Sequence, residues 1–271
     1  MASSEPNQLL DVKGKVALVT GGATGIGLAM ADALLSEGLK KAYISGNIDK
    51  DGEEAVREIT KKHGEGRCTY KHLDVTSMEQ FEDVFNEIIS IEGGIDILLN
   101  NAGIVNEKKW ELQTDVNING VMRGCHLALK YMANRNACVV NTSSIACFDP
   151  APYLPGYSAS KFAITGLSRA FGDPILSKES NIRFMVVAPG ATKTGIGNIT
   201  PSSYHFNEEW GRLNLERFIS AQDQGPEAVA KGTVYIIKYG TSGSVWVVEH
   251  NQLLRVTYPK RESYQTKIID L

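Results

Sequence analysis

The chain has 271 residues, a formal net charge of −3, 42% hydrophobic and 22% charged residues. A chain of this length can bury about 75% of its unfolded surface without a disulfide or metal staple, and its balanced composition excludes a disordered or fibrous protein. The small excess of acid offers no basic field for a phosphate backbone, which excludes nucleic acid as the main partner.

Apolar runs and helical patterns then alternate along the chain. Lys15–Thr20 (KVALVT) is short, apolar and β-branched, as for a strand buried on both faces. A helix over Ile26–Glu37 follows. Strands at Lys41–Ser45, Arg67–Leu73 and Ile95–Leu99 are separated by helices at Asp51–His63 and Ser77–Ile91. In the latter, Met78, Phe81, Val84, Phe85, Ile88 and Ile89 fall on one stripe. The pattern continues with a helix at Thr114–Met132, a strand at Ala137–Asn141, a helix at Gly156–Leu176 and a strand at Asn181–Val187. A helix at Pro226–Ile237 and a strand at Ser244–Val248 close it. Such alternation predicts a single-domain α/β protein of the Rossmann type, a doubly wound parallel sheet of about seven strands with helices on both faces. No repeat or linker divides the chain, so one domain is expected over residues 1–271, with its core at 14–248. Pro189–Asn214 breaks the rhythm: it is rich in Gly, Thr, Ser and Asn, with Tyr204, Phe206 and Trp210 set into it. Its 195–214 part reads as a substrate lid, and the charged tail 258–271 as a surface segment.

No apolar run approaches the ~18 residues that span a bilayer, and the opening MASSEPNQLLDVKGK lacks a secretory pattern. Cys68, Cys125, Cys138 and Cys147 are scattered, without metal-ligand spacing. The expectation is a cytoplasmic protein with reduced thiols and no metal.

Between the first strand and the first helix stands Thr20-Gly-Gly-Ala-Thr-Gly-Ile-Gly27. Gly21 permits a tight turn, Gly25 a close approach to a pyrophosphate, and Gly27 close packing of helix on strand. The helix N-terminus turns unpaired N–H groups and partial positive charge toward an anion. A turn with no ligand is the alternative, but three glycines at the first turn of such a sheet favour a dinucleotide. Tyr157 and Lys161, four apart at the start of a predicted helix, share a face. An ammonium at about 4 Å favours the phenolate by roughly 4 kcal/mol at an effective dielectric near 20. That is about three pKa units, with desolvation opposing; an ordinary amphipathic pair is the alternative. Ser144 lies 13 residues before Tyr157, just past a strand end where active-site groups gather. A hydroxyl there can hydrogen-bond a substrate oxygen as its charge changes, with Ser143 the alternative.

The spacing Gly-x-x-x-Gly-x-Gly, with Asn100-Asn-Ala-Gly103, Tyr157-x-x-x-Lys161 and Pro189-Gly190, resembles the short-chain dehydrogenases/reductases from about Gly14 to Val248. Asn101–Trp110 (NAGIVNEKKW) and the ending SVWVVE are similar to the branch that contains 15-hydroxyprostaglandin dehydrogenase and the insect alcohol dehydrogenases. The resemblance implies an NAD(P)-dependent alcohol dehydrogenase or carbonyl reductase, paired through the helices at 114–132 and 156–176 as a homodimer or homotetramer. Asn117, Ser144, Tyr157 and Lys161 would be its catalytic set: Tyr157 exchanges the hydroxyl proton and Ser144 steadies the alkoxide. Lys161 lowers the tyrosine pKa and anchors a ribose, and Asn117, with Asn119 as a competitor, holds a water behind the lysine. Gly21, Thr24, Gly25, Ile26 and Gly27 would cradle the pyrophosphate. Asp74 and Val75 would meet adenine, although Asp74 could equally cap the helix opening at Ser77, as could Thr76. Asn101, Ala102 and Gly103 would lie along the cofactor, and Pro189, Gly190, Thr192 and Thr194 would embrace its nicotinamide end.

Two positions depart from the pattern. Ser45, followed by Gly46, stands where an NAD-using enzyme carries an aspartate for the ribose, so NAD is expected with NADP left open. Asn47 and Asp49 are nearby polar candidates, though also natural helix caps. Leu154 stands where the prostaglandin enzyme has a polar substrate contact; with Phe148 and Pro155 it implies a small lipophilic secondary or allylic alcohol, or its ketone, rather than a prostaglandin. The alternatives are a non-catalytic dinucleotide-binding protein of the same fold and a penicillin-binding hydrolase. The latter would rest on Ser158-x-x-Lys161, Lys193-Thr-Gly195 and Ser45-Gly-Asn47, which occur in the wrong order.

Overall fold

The structure, a computed structural model, describes residues 7–195, 207–259 and 263. Val16–Thr20 forms β1 with every residue buried, because a strand covered on both faces has no polar side to keep. Then come α1 (Gly25–Ser36), β2 (Lys41–Gly46), α2 (Asp49–His63), β3 (Cys68–His72), α3 (Met78–Glu92) and β4 (Ile97–Asn100). The second half runs through α4 (Trp110–Thr114), a turn of π-helix (Asp115–Asn119), α5 (Gly120–Tyr131), β5 (Ala137–Thr142), α6 (Pro155–Phe171), α7 (Pro174–Ser180) and β6 (Ile182–Pro189). It ends with α8 (Glu208–Ala221), α9 (Pro226–Tyr239), β7 (Val245–Glu249) and β8 (Gln252–Arg255).

The strands form one eight-stranded sheet in the order β3-β2-β1-β4-β5-β6-β7-β8, parallel except for β8. Successive side chains of β1 point to opposite faces. Ala17 and Val19 join Met30 and Leu34 of α1 and Ile236 of α9 in one apolar layer. Leu18 joins Phe81 of α3, Leu127 of α5 and Ile164 of α6 in the other. The chain reverses its direction of travel across the sheet between β1 and β4, which pair directly. This switch point opens a crevice beyond the C-terminal strand ends, where such sheets hold ligands.

Four expectations change. The strand beyond the expected seven, β8, returns through His250 and Asn251, whose φ angles of 52° and 59° make the tight turn that suits the twist of a hairpin. The helix expected over Gly156–Leu176 is two helices. Pro174 cannot continue α6, lacking an N–H and clashing with the preceding turn, and Asp173 restarts the chain by accepting from the Ile175 N–H. The helix expected from Thr114 begins at Trp110 and takes up an extra residue in the π-turn. Within the expected lid, α8 is helical from Glu208: Asn207 caps it, and Glu208 and Glu209 complement its N-terminus. Residues 196–206, including Tyr204 and Phe206, lie outside the described residues, as does most of the 258–271 tail. Among the described residues no helix is long and apolar enough to cross a membrane, and no cluster of three or more metal-ligating side chains occurs.

Candidate active site

β1 must turn into α1 within four residues. Gly21 and Gly25 meet this with φ of 59° and 56°, a region that side chains disfavour. At Gly27 the constraint is space: a Cβ would fall 2.3 Å from the Gly21 carbonyl oxygen and 2.6 Å from Asn101 Nδ2. A Cβ on Gly21 would strike Ala102 Cα at 2.8 Å. What results is a bare backbone cradle at the N-terminus of α1, with Thr24 exposed at its lip and Ile26 packed toward the core. Facing it, Thr194 Cβ lies 3.4 Å from where a Gly25 Cβ would stand. Open helix N–H groups over a cradle that a side chain would fill fit a pyrophosphate.

Three strand ends are tied together beside the cradle. Thr20 Oγ1 accepts from the N–H groups of Asn101 at 3.0 Å and Ala102 at 3.1 Å, and Asn101 Nδ2 donates to the Thr20 and Gly21 carbonyls. At the end of β5, the Thr142 carbonyl accepts from Lys161 Nζ at 3.0 Å. Gly103 leaves room there: a Cβ would lie 3.4 Å from Asn117 Oδ1 and 3.7 Å from Lys161 Nζ. One turn apart on α6, Lys161 Nζ lies 5.3 Å from the centre of the Tyr157 ring. Ser144, partly exposed, hydrogen-bonds Tyr157 and accepts from the Ala146 N–H at 3.2 Å. Ser143 is committed elsewhere, bonding the Lys161 carbonyl and Thr165 Oγ1 from within the core.

The proton affinities differ from the simple pair picture. Burial pushes the Tyr157 hydroxyl up to about 12, against the hydrogen bond from Ser144, which pulls it down. Burial also brings the Lys161 ammonium down to about 8. Among protein groups, desolvation therefore outweighs the attraction expected from spacing, and each side chain is driven toward its neutral form.

Other expected residues are placed less directly. Ser45 is fully buried, with Oγ donating to the Val19 carbonyl inside the sheet, so it does not face a ribose. Gly46 is the end of β2, and its carbonyl accepts from Tyr70 Oη at 2.7 Å. Tyr70 Oη also donates to Asp49 Oδ1 at 3.1 Å, and His72 Nδ1 lies 2.7 Å from the same oxygen. These bonds, that of His72 first, hold the Asp49 carboxyl below its ordinary range. Asp74 does not cap α3; it bonds Thr76, and Ser77 is the cap. Val75 packs against Gly120 at the start of α5. Asn117 uses its side chain to hold the backbone of Ile104 and Ser160 Oγ, whereas Asn119 is exposed and bonds Asp115.

A family model described as short chain dehydrogenase matches residues 15–203. The chain belongs to that family. It is 33% identical over 244 residues to the NAD(+) 15-hydroxyprostaglandin dehydrogenase of Rattus norvegicus, covering 84% of this chain and 88% of the relative. Alcohol dehydrogenase 2 of Ceratitis rosa shares 25% over 252 residues, covering 92% and 96%. Among solved structures, levodione reductase superposes with a TM-score of 0.77 at 23% identity, over 88% of this chain and 97% of that one, a likeness of fold.

Two buried residues of this short-chain dehydrogenase escaped the sequence reading. Gln224, in the link between α8 and α9, donates to Thr192 Oγ1 at 3.1 Å and to the Val248 carbonyl at 2.9 Å, and its own carbonyl accepts from the Lys193 N–H. It pins Pro189–Thr194 to the end of β7, helped by Gly190, where a Cβ would meet Glu249 at 2.9 Å. Glu107, in the polar run NEKKW, is only 1% exposed. Leu154 is buried at the start of α6, Phe148 is exposed, and Trp210 of α8 stands 6.3 Å, ring to ring, from Tyr153. Met132 is buried in the apolar layer of its own chain, and Tyr131 and Phe171 are partly buried against that layer.

Proposed function

We propose that the protein transfers a hydride between NAD and a small lipophilic secondary or allylic alcohol, or in reverse its ketone, as a single-domain subunit of a cytoplasmic homodimer or homotetramer. The observation that carries the reading is the convergence of Ser144, Tyr157 and Lys161 beside the glycine cradle. A non-catalytic dinucleotide binder has no need of that convergence. Asn101, Ala102 and Gly103 would line the cofactor, with Pro189, Gly190, Thr192 and Thr194 at its nicotinamide end and Asp74 and Val75 toward adenine. When bound, the nicotinamide supplies the hydride chemistry.

The chain's own residues manage the proton. Tyr157, with its hydroxyl held near 12, carries its proton at neutral pH and can deliver it to a carbonyl oxygen. In the oxidative direction Tyr157 must first give up its own proton, and its phenolate form then receives the alcohol proton. Ser144 keeps that oxygen within reach and donates to it as charge develops. Lys161, pinned to the Thr142 carbonyl, places a cation under the phenolic ring and beside the ribose site. Asn117, by holding Ile104 and Ser160, fixes the loop and helix between which this occurs.

NAD is favoured over NADP because the exposed Asp49 carboxylate, three residues past the end of β2, would oppose a second phosphate there. Leu154, Tyr153 and Trp210 supply apolar area for the substrate, and the four buried free cysteines suit a reducing compartment. The test is reduced-nicotinamide absorbance with a graded series of alcohols, NAD⁺ and NADP⁺ in parallel. The expected result is faster turnover with NAD⁺ and kcat/KM rising with the apolar size of the alcohol. Nucleotide binding without turnover of any alcohol or ketone would move the assignment to a binding protein.

A further inference from the structure

Helix α6 begins at Pro155 with Leu154 in its cap position, and Leu154 has no side-chain acceptor to give. The orphan N–H groups of the first turn are satisfied from elsewhere in the chain. Glu107 Oε2 accepts from the Gly156 N–H at 3.0 Å, and Oε1 from the Tyr157 N–H at 2.8 Å. A carboxyl sealed from solvent with both oxygens on backbone donors is a strong and directional contact. It falls on the residue that the proposed function makes the proton donor.

The carboxyl is itself held. Gln113 Nε2 donates to Glu107 Oε1 at 3.3 Å, and Gln113 Oε1 accepts from the Asn106 N–H at 2.6 Å. Tyr157 is gripped at its other end as well, its carbonyl accepting from Ser160 Oγ at 2.7 Å, and Ser160 Oγ accepts from Asn117 Nδ2. Asn117 returns to the chain at Ile104, three residues before Glu107. The hydrogen bonds thus close a ring from Glu107 through Tyr157, Ser160 and Asn117 to Ile104. The absent side chain of Gly156 makes room for it, since a Cβ would lie 3.0 Å from both Glu107 Oε2 and Gln113 Nε2.

We infer that Glu107 is a positioning residue for proton transfer: its buried carboxyl fixes the backbone of Tyr157, and with it the phenolic oxygen, against the loop that lines the cofactor. The inference rests on the proposed function of Tyr157. A shift of about 1 Å in a reacting group can cost on the order of a hundredfold in rate.

The test is Glu107→Gln, which keeps the size but turns an amide NH₂ toward one of the two backbone donors. Single-turnover hydride transfer is measured with nucleotide affinity and the stoichiometry of nucleotide bound. The expected result is a rate at least about tenfold lower, with affinity within about twofold and full stoichiometry. In a Tyr157→Phe background the same change should cost nothing further, because the group it aims is gone. Asp173→Ala, which removes the cap of α7, serves as the control and should leave the rate unchanged. An unchanged rate in Glu107→Gln, or a rate that falls only in step with stoichiometry, overturns the inference. Should Glu107→Gln fail to fold, Gln113→Leu, which leaves the carboxyl unsteadied, is read by the same criteria. If Tyr157→Phe itself keeps full turnover, the proposed function falls and the inference with it; if only the Glu107 result fails, the proposed function stands.

Discussion

Tyr157 and Lys161 share a face of α6, and burial shifts both toward neutrality. With the phenol near 12, the tyrosine holds its proton across the neutral range. Alcohol oxidation should therefore speed up with pH from about 6 to 9, while carbonyl reduction stays flat or falls. Parallel pH profiles of kcat/KM in the two directions check this. Lys161 has the opposite linkage. Its folded value of about 8 lies below the ordinary 10.5, so above about pH 8 the unfolded chain keeps a proton that the folded chain sheds, and stability rises with pH through that window. Below it the buried ammonium is at its most costly. Lys161→Met should then stabilise the fold near pH 7 by about 1–2 kcal/mol, a gain that shrinks above about pH 8, while turnover is lost. Urea unfolding at several pH values measures it. Asp49→Asn should lower the preference for NAD⁺ over NADP⁺ by roughly tenfold, the worth of one exposed like-charge contact, as read from the ratio of kcat/KM values. The tyrosine–lysine spacing was legible because a helix puts such pairs on one face. The end of β2 was not: shifting a strand boundary by one residue turns each side chain to the other face, and Ser45 went into the sheet while Gly46 took the open end.

At the scale of elements, the glycine cradle is built more by what is missing than by what is present. Gly27→Ala would put a Cβ against the Gly21 carbonyl and Asn101, both in backbone-anchored positions. It should lower stability by about 1–3 kcal/mol and weaken nucleotide binding more than tenfold, measured by thermal unfolding and nucleotide titration. Parallel strands such as Val16–Thr20 and Ile97–Asn100 were legible because both their faces are apolar. The π-turn at Asp115–Asn119 was not, since its extra residue leaves no mark in an apolar period, yet it lies in the segment that carries Asn117. Pro174 was a visible stop signal, but the apolar Ile175 and Leu176 beyond it continued the helical pattern, and both are exposed in α7.

Across the whole molecule, the site draws on the ends of β1, β4 and β5 and on loops far apart in sequence. Gln224 and Glu107 show why such residues stay hidden in a sequence: each is a polar residue among polar neighbours, and only the packed chain reveals what it bonds. Because those segments converge on one crevice, a bound dinucleotide should stabilise the fold. At about a hundred times its dissociation constant, linkage gives about 2.7 kcal/mol, or on the order of 5–10 °C in Tm for a chain this size.

The most direct measurement compares the wild-type protein with Tyr157→Phe, following reduced-nicotinamide absorbance on the best alcohol and nucleotide affinity by titration. Turnover lost by at least about a thousandfold, with nucleotide affinity kept within about threefold, is the predicted result. Turnover close to that of the wild type would contradict Tyr157 as the group that moves the proton, and with it the account of the site.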